Sequence, residues 1–471
     1  MIAEDTLKMI ESKNSEQYIL DLSKRNNEPE WLLKKRLDAF NTFKSMKMPN
    51  FIYGLNINMN IALDLDAINI NDSARSNIKI NNPDEQIIIE DFAGMLKNHE
   101  NILMKNFMSL VHADEKFTSF HAAFLNNLAF VYVPRNTEAK APIELASVIG
   151  QDVVFEHLII LVEDNSKVTL VEDSKSSNNQ KISIKTISNN NDSNKKIKEE
   201  KTNNMSKDNE KNSKKNAKNT GSDIKNQNNE NNDKKNLEIN NNHSYPYRSK
   251  IVELFIGKNC IVNYGNVQML DSDAFNFTIK KASVGQNSTL NWMDCCFGSK
   301  VTLSEVTTHL DGEHAVTNNH GLFFGSKKQQ FDLVAKSIHN APLTISDILT
   351  KGALTDSSKC VYRGLVRIEQ NAFGSNGYQK EDTLLLSSDA QADSIPNLEI
   401  ENNEVRCTHG ASIGRIDSEK LFYIMSRGLD RDLATREYVK AFFEPLIQKI
   451  QIEKLRENMH GIIGKGVWDK K

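Results

Sequence analysis

The stretch IGKNCIVNYGN at residues 256–266 sets a pattern that other parts of the chain repeat. Each copy has a turn rich in Gly, Asp, Asn or Ser, then a small residue, then alternating apolar positions. The other copies are VEDNSKVTLVE (162–172), VGQNSTLNWMD (284–294), FGSKVTLSEV (297–306) and, more weakly, LTDSSKCVYRGLV (354–366). Short strands separated by regular polar turns predict an all-β repeat architecture.

One turn of such a repeat cannot bury its apolar face alone, so stacked turns must share a continuous core. Hairpin signals such as Asn-Gly and Asp-Gly are scarce, although Asp311-Gly312 is one. This scarcity favours a β-helix over a β-sandwich. We therefore predict a mainly β protein whose core is a right-handed parallel β-helix.

Helical patterns flank the β region on both sides and predict helical caps at its N-terminal and C-terminal ends. Glu28-Pro29-Glu30-Trp31 has the acids and the proline that helix starts prefer. The apolar positions that follow at helical spacing are Leu33, Leu37, Phe40 and Phe43. On the other side, Asp417 and Ser418 are candidate N-caps of a short helix that stops near Gly428, and a longer helix follows from about Asp430.

A long polar stretch from residue 174 to residue 244 has no Phe, Tyr or Trp, and it carries 15 Lys, no Arg and 9 acidic residues. Too few apolar side chains are present to offset the entropy of ordering, so a disordered insertion is predicted. Both flanks are strand-like, which places the insertion in a loop between consecutive strands of one domain. Long loops cost little extra closure entropy. A basic interaction tail is the alternative interpretation.

The patterns together divide the chain into five regions. They are an N-terminal helical region (1–105), a first part of the β-helix core (106–173), the insertion (174–244), a second part of the core (245–416) and a C-terminal helical region (417–471).

Composition excludes several classes of function. A net charge of −3 gives no signature of nucleic-acid binding. No apolar run reaches the roughly 18 to 20 residues that span a bilayer. The acidic N-terminal stretch has neither a signal-peptide core nor an Arg-rich transit pattern, so we expect a cytoplasmic protein. No GxxxxGK[ST] loop is present, so we do not predict ATP binding.

The chain has 5 cysteines, and no two of them form a CxxC pair, so neither a disulfide framework nor a self-contained zinc or cluster site is expected. Cys295 and Cys296 must point to opposite faces of a strand. Cys407 and His409 are different, because residues two apart on a strand face the same side. We expect structural roles for Cys260, Cys295, Cys296, His121 and His339, and a core or channel-lining position for Cys360.

Two further groups of residues carry weaker signals. His309, His314 and His320 lie in HLDGEHAVTNNH, whose spacing matches no helical zinc motif, and we expect them in exposed loops. Arg363-Gly364 is interpreted as a tight corner in which the arginine has a carboxylate partner.

Several stretches resemble the family of SufB and SufD proteins, subunits of the SUF machinery that assembles iron–sulfur clusters. They are EPEWLLKKRLDAFNTF (28–43), DEKFTSFHAAFLNNLAFVYVPRN (114–136), the region from CVYRGL to IGRID (360–417) and LFYIMSRGL (421–429). The motif CTHGAS at 407–412, with Gly410 after the histidine, resembles SufD more than SufB. The resemblance covers most of the chain outside the insertion and implies a β-helix directly.

The resemblance implies a scaffold role beside a SufB-like subunit and a SufC-like ABC ATPase that docks on the C-terminal helices. It implies that His409 is a ligand at the interface with SufB, and the spacing adds Cys407. Thiolate and imidazole are donors that iron–sulfur intermediates use. SufB itself has a cysteine in a QCDSML-type motif and a glutamate after the matching histidine. This chain has KEDTLL there, with Glu381 near the cysteine position, and Gly410.

These features lead to a specific hypothesis, that the chain is a noncatalytic SufD-like subunit. Cys407 and His409 would be transient ligands of iron or of an iron–sulfur cluster shared with SufB, and no cofactor would be held tightly by the chain alone. The alternative is a purely structural β-helix paralogue, in which the thiol of Cys407 only packs at the interface. A homodimer is possible when SufB is missing. A polysaccharide-acting β-helix enzyme is disfavoured by 7% aromatic residues and by the expected location.

Overall fold

The structure of the protein is a computed structural model, and it describes residues 14–53, 57–59, 61, 63–66, 68, 70, 77–82, 84–150, 153–176 and 246–466. The α-helices are α1 (Glu16–Arg25), α2 (Glu30–Ser45), α3 (Phe92–Asn98), α4 (Glu100–Asn106), α5 (Lys116–Phe124), α6 (Ser418–Met425), α7 (Arg431–Ile447) and α8 (Glu453–Gly461). A π-helical segment, Ile462–Gly466, follows α8.

The first ten strands are β1 (Ile52–Tyr53), β2 (Ile57–Asn58), β3 (Asn77–Asn81), β4 (Ile88–Asp91), β5 (Asn127–Val133), β6 (Ile143–Ile149), β7 (Val153–Val162), β8 (Lys167–Ser176), β9 (Tyr247–Ile256) and β10 (Ile261–Met269). The other ten are β11 (Phe275–Val284), β12 (Thr289–Cys296), β13 (Val301–Leu310), β14 (Val316–Gly325), β15 (Gln330–His339), β16 (Ile345–Leu354), β17 (Lys359–Ile368), β18 (Asn376–Leu385), β19 (Gln391–Ile400) and β20 (Arg406–Arg415).

From β5 onward, successive strands alternate between two sheets, so that each pair of strands makes one turn of a coil. The even sheet has the order β20-β18-β16-β14-β12-β10-β8-β6-β3, and the odd sheet has the order β19-β17-β15-β13-β11-β9-β7-β5-β4. All pairings within β5–β20 are parallel, whereas β3 and β4 close the first turn by antiparallel pairing. About eight turns result. The predicted mainly β fold, a parallel β-helix with helices at both ends, is confirmed.

The repeated turns of the sequence form one corner of the coil. Asn165, Asn259 and Asn287 occupy equivalent places in three repeats and adopt left-handed conformations, with φ of 59°, 56° and 56°. Asparagine visits this region more readily than most residues. The Asn259 amide donates to Asn165 Oδ1 at 2.9 Å, and the Asn287 amide donates to Asn259 Oδ1 at 3.2 Å. This corner ladder explains why the repeats keep an asparagine there.

The small residue after each corner asparagine faces the interior. Ser288 is fully buried, accepts a hydrogen bond from the Cys260 backbone N–H at 2.9 Å, and donates to the Gly257 carbonyl at 2.7 Å. Backbone groups at the corner are thereby satisfied without water. The small side chain is thus required by the narrow space between successive turns of the coil.

The N-terminal helices cover one face of the odd sheet near its start. Arg36 on α2 is fully buried and makes two hydrogen bonds of 2.7 Å to Glu28, and it also donates to the Ala123 carbonyl. A buried pair of this kind is stable only because its geometry satisfies both charges. On β9, the buried Glu253 accepts from four backbone N–H groups of residues 108–111 and thereby attaches this region to the coil.

The C-terminal helices cover the outer face of the even sheet. Val439, Phe443 and Leu446 on α7 belong to the same apolar cluster as Met293 and Leu349 on the sheet.

No helix among the described residues combines the length and the apolarity that crossing a membrane requires. The candidate caps are confirmed, since Asp417 and Asp430 accept hydrogen bonds from the first turns of α6 and α7, and Gly428 has φ of 94°.

Two of the predicted region boundaries differ from the structure. Helix α5 lies within 106–173, so the first strand of the coil begins at Asn127 rather than at 106. Residues 174–176 are the end of β8 and are paired with β6, not part of an insertion. The predicted disorder of the remaining insertion falls outside the described residues.

Candidate functional site

The last turn of the coil leaves both sheets open. Among the described strands, β20 pairs only with β18, and β19 pairs only with β17. Every residue of these two strands is at least partly exposed, whereas strands in the middle of the coil are largely buried. Parallel strands are normally covered on both sides, so this open end is an unusual surface.

Cys407 and His409 lie on β20, on the face that looks into the coil. In the parallel register, Cys407 is opposite Gly377 and His409 is opposite Gln379, and both partners on β18 are buried. Register partners point to the same side of a sheet. Cys407 is half-buried against the interior cluster, whereas His409 is exposed because no further turn covers it. Their roles as ligands stay a prediction.

Unpaired polar atoms lie directly beneath His409. Gln379 is fully buried, and neither its amide nitrogen nor its amide oxygen has a hydrogen-bond partner. Its side chain lies over Gly364 on β17, where a Cβ atom would collide with the amide group. Buried polar groups without partners are uncommon, so these atoms mark a place where a ligand or water can bind.

Glu381 lies two residues further along β18, on the same inward face. Its carboxyl group is almost fully buried, accepts a hydrogen bond from the Thr383 hydroxyl, and has one oxygen without a partner. Burial raises the pKa of Glu381 to about 7. The group can therefore gain or release a proton near neutral pH.

The thiols near this end are protonated in the isolated chain. Burial, together with Glu381, Asp332 and Cys296, raises the pKa of Cys360 well above its usual value. Burial also raises the pKa of Cys407. Since a metal binds the thiolate, it must displace a proton from either residue, and binding should strengthen as the pH rises.

Cys407 and His409 do not complete a metal site by themselves. The described residues contain no group of three His, Cys, Asp or Glu side chains placed to hold a metal ion. Iron–sulfur sites and structural zinc sites usually take four protein donors. The donor set at the open end therefore fits an ion or cluster only if a second molecule supplies further ligands.

The other predicted cysteines and histidines are packed or hydrogen-bonded within the fold. Cys295 faces the C-terminal helices and Cys296 faces the interior, as expected of neighbours on a strand. His121 bonds to Ser249, and His339 bonds to Thr344 and Ser346, so the histidines predicted to be satisfied are confirmed. Cys260 packs in an interior cluster just before β10 rather than on a strand, and Cys360 packs in the interior near the open end, as predicted.

Two predictions about loops are wrong. His309 lies on β13 and His320 lies on β14, where it is 7% exposed, so these two residues are not in exposed loops. Only His314 is in a turn, with φ of 60°. Arg363-Gly364 is in the middle of β17 rather than at a corner. The expected carboxylate partner does exist, since Arg363 binds both oxygens of Asp332 at 2.7 Å.

Sequence reasoning missed the roles of Gln379 and Gly364. The alternation of GYQKEDT would have placed Gln379 and Glu381 on one face with Gly377, but nothing in a single sequence says that this face is the interior. That Gln379 and Glu381 face the interior becomes clear only once β18 is paired with β20.

The geometry defines a class of protein, a β-solenoid with helical ends whose last turn offers soft donor atoms at an open surface. Comparison with known proteins is more specific. Residues 230–442 match the family model described as "SUF system FeS cluster assembly, SufBD core domain". The iron–sulfur cluster assembly protein SufD of Bacillus subtilis is 24% identical, over 96% of this chain and 98% of its own length.

Similar proteins of other bacteria carry the family's name. An iron–sulfur cluster assembly SufBD family protein of Staphylococcus haemolyticus is 24% identical over 93% of this chain and 90% of its own length. A Staphylococcus aureus protein of the same description has the same identity and coverage. The chain is thus similar, over most of its length, to SufB/SufD-family proteins of the SUF iron–sulfur cluster assembly system, a SufD among them.

Proposed function

We propose that this chain is a noncatalytic, SufD-like scaffold subunit, and that Cys407 and His409 are ligands of iron or of a nascent cluster that it shares with a SufB-like partner. The observation that carries the proposal is the open last turn. It presents a thiol and an imidazole on one face, and the described residues offer no third donor beside them. A partner that docks there would complete the ligand set.

The open end also supports a β-solenoid as the partner. The outer edges of β19 and β20, each ten residues long, present backbone polar groups that pair with no strand among the described residues. An extended edge of this kind binds another strand through main-chain hydrogen bonds. A SufB-like subunit with the same coil could continue both sheets across the interface, and a second copy of this chain is the substitute when SufB is missing.

A SufC-like ATPase would bind the C-terminal helices. Phe422 and Tyr423 on α6 are 72% and 60% exposed, and Leu433 on α7 is 45% exposed. The opposite side of α7 is already occupied by the even sheet. Large apolar side chains left exposed together indicate a protein-binding surface. ATP hydrolysis by this partner would then supply the work of the complex, and this chain would contribute no catalytic group.

The central test is anaerobic co-expression with SufB and SufC, followed by purification through this chain and assay of bound iron and sulfide. We expect a ternary complex whose iron and sulfide fall severalfold in His409→Ala while both partners are retained. His314→Ala is the matched control, because His314 is an exposed histidine far along the sequence from the open end.

Unchanged iron and sulfide in an intact His409→Ala complex would instead favour the purely structural role. If no complex forms with the unaltered chain, the scaffold proposal itself fails. Cys407→Ser separates the two proposed ligands, because a thiol that only packs at the interface would tolerate serine with cluster content unchanged.

Docking of the ATPase has its own test. Phe422→Asp should abolish co-purification of SufC and leave SufB bound, because a charge on the exposed apolar surface opposes its burial. Phe373→Asp is the control, since Phe373 is also half-exposed but lies in a turn away from the C-terminal helices. Equal loss of SufC in both variants, or in neither, would argue against this surface.

A further inference from the structure

A cavity of about 190 Å³ lies between the outer face of the even sheet and residues 449–452, which connect α7 to α8. Its lining is unusually polar for a space under a helical cover and includes Asn318, His320, Lys449 and Gln451. It is separate from the open end, because it lies on the outside of the coil. Nothing in the proposed scaffold function uses it.

A row of asparagines leads to this cavity along the sheet. The Asn291 amide donates to Asn263 Oδ1 at 2.8 Å, and the Asn318 amide donates to Asn291 Oδ1 at 2.7 Å. The row ends at Asn318, and the next residue in register on β16 is Asp347. Where one more asparagine would continue the amide row, the chain has a carboxylate.

His320 and Asp347 face each other with atoms that no hydrogen bond satisfies. His320 is 7% exposed, and its Nε2 has no hydrogen-bond partner. Asp347 Oδ1 also has none. The His320 Nε2 atom is 3.7 Å from Asp347 Oδ2, which is too long for a hydrogen bond. Leaving both groups in this state is costly unless something binds between them.

The distance between His320 Nε2 and Asp347 Oδ2 is the one that a bridging metal ion needs. Bonds of roughly 2.0 to 2.2 Å from a zinc-like ion to nitrogen and to oxygen, at tetrahedral or wider angles, separate the two ligand atoms by about 3.3 to 3.8 Å. Imidazole with carboxylate is a donor pair that suits Zn²⁺ and Fe²⁺. The cavity beside it has room for water molecules to fill the remaining coordination positions.

A cation already sits at this carboxylate. The Lys449 ammonium is 2.9 Å from Asp347 Oδ2, and its side chain is 44% exposed. The carboxylate thus has a positive partner whose side chain is partly exposed and can swing out to solvent.

We propose that His320 and Asp347 bind one divalent transition-metal ion, with the Asn318 amide oxygen and cavity water completing its coordination and the Lys449 ammonium displaced. Water at several positions makes the site weaker and more readily exchanged than a fully protein-ligated one. The inference does not rest on the scaffold function, and it concerns different residues.

The test is titration of the metal-stripped full chain with Co²⁺, followed by its visible absorption, and with Zn²⁺, followed by calorimetry. All proteins carry Cys407→Ser and His409→Ala, so the open end cannot contribute. We expect one equivalent to bind with a nitrogen and oxygen spectrum and no thiolate charge-transfer band. His320→Ala should weaken binding at least tenfold, and His314→Ala should leave it unchanged.

Lys449→Met keeps both proposed ligands, His320 and Asp347, so a change in metal affinity cannot come from a lost ligand. Removing the competing ammonium should tighten binding severalfold, because the metal ion no longer has to displace a positive charge from Asp347. Circular dichroism confirms that each variant is folded. Absence of a bound equivalent in the background protein, equal binding by His320→Ala, or weaker binding by Lys449→Met would each overturn the proposal.

Discussion

At the scale of single residues, Glu381 makes the stability of the open end depend on pH. Burial raises its pKa from 4.5 to about 7. The folded chain therefore holds this proton more tightly than the unfolded chain, and stability is lost as the pH rises from about 4.5 to about 7. Glu381→Gln removes the ionisation and should raise the free energy of unfolding by about 3 kcal/mol above about pH 8, with little effect near pH 4. Urea unfolding across this range measures it.

Glu305 is the matched control, because its pKa is shifted in the opposite direction to that of Glu381. Burial opposes its ionisation, but Lys336 and Lys281 prevail and lower its pKa. This carboxylate stabilises the fold above its unfolded pKa, and that contribution is lost as the pH falls. Glu305→Gln should therefore destabilise the chain at neutral pH. The same pH dependence in both variants would contradict the assignment for Glu381.

The residues at the open end differ in how far a sequence reveals them. Cys407 and His409 could be singled out, because their types, their spacing and the family resemblance point the same way. Gln379 and Gly364 could not, because their importance comes from pairing across strands that are distant in the chain, and Glu381 is noted only for its place in the family motif. His320 was misplaced for a similar reason, since it lies under the segment that connects α7 to α8, more than 100 residues away.

At the scale of structural elements, the corner ladder makes a prediction about the asparagine repeats. Asn287→Ala should destabilise the chain by about 2 kcal/mol, because alanine is strained in the left-handed region and the amide bond to Asn259 is lost. Asn287→Gly keeps the conformation and should cost about 1 kcal/mol. Thermal unfolding separates them, and an equal loss in both would show that conformation is not the cause.

A second prediction concerns the packing of α8 on the even sheet. Gly265 on β10 lies directly beneath Leu455 and Ile452, where a Cβ atom would collide with Leu455. Gly265→Val should destabilise the chain by about 1 to 3 kcal/mol, as overpacking does, and should speed proteolysis of the C-terminal helices. Gly461→Ala is the control, since no atom lies within 4 Å of its added Cβ. Unaltered proteolysis in Gly265→Val would contradict this packing.

The elements also show where pattern reasoning succeeds and where it stops. The turns of the repeats were found because left-handed asparagines recur in the sequence as they do in the coil. Asp311-Gly312 looks like a hairpin turn, but the chain makes a coil corner there instead. Gly312 is needed because its Cα passes close to the Gly285 and Gln286 backbone of the previous turn. Such close approach between turns has no local signature.

At the scale of the whole molecule, the charged interior of the coil stands out. Glu156, Glu172, Arg248 and Lys250 are all buried and bind one another, with Arg248 donating to both carboxylates at 2.9 Å. Apolar patterning alone predicts none of this. Arg248→Met should cost about 3 to 5 kcal/mol, because two carboxylates would lose their partner.

Adding Glu172→Gln to Arg248→Met should recover part of that loss, as measured by chemical denaturation of the double variant. Arg135→Met is the control, since Arg135 forms an ion pair that is largely exposed and should contribute little. A loss from Arg248→Met no larger than that from Arg135→Met would show that the buried network does not stabilise the fold.

The long insertion should be dispensable for the fold. Strand β8 pairs with β6 and β10, and β9 pairs with β7 and β11, so both ends of the loop are fixed by other parts of the coil. Replacing residues 177–245 with about eight Gly and Ser residues halves the loop length about three times. The lower entropy cost of closing the loop should stabilise the chain by about 2 kcal/mol. Thermal unfolding tests this, and a clear loss of stability would mean that the segment contributes to the core.

The difference between the two ends of the coil limits how many molecules can be joined. At the first turn the sheets end in the antiparallel strands β3 and β4, whereas at the last turn they end in the parallel strands β19 and β20. In the proposed complex, two coils that meet through their last turns would use up both parallel edges, and each would then end in its antiparallel first turn. A stack of parallel strands, which in amyloid grows without limit, would there stop after a single joining event.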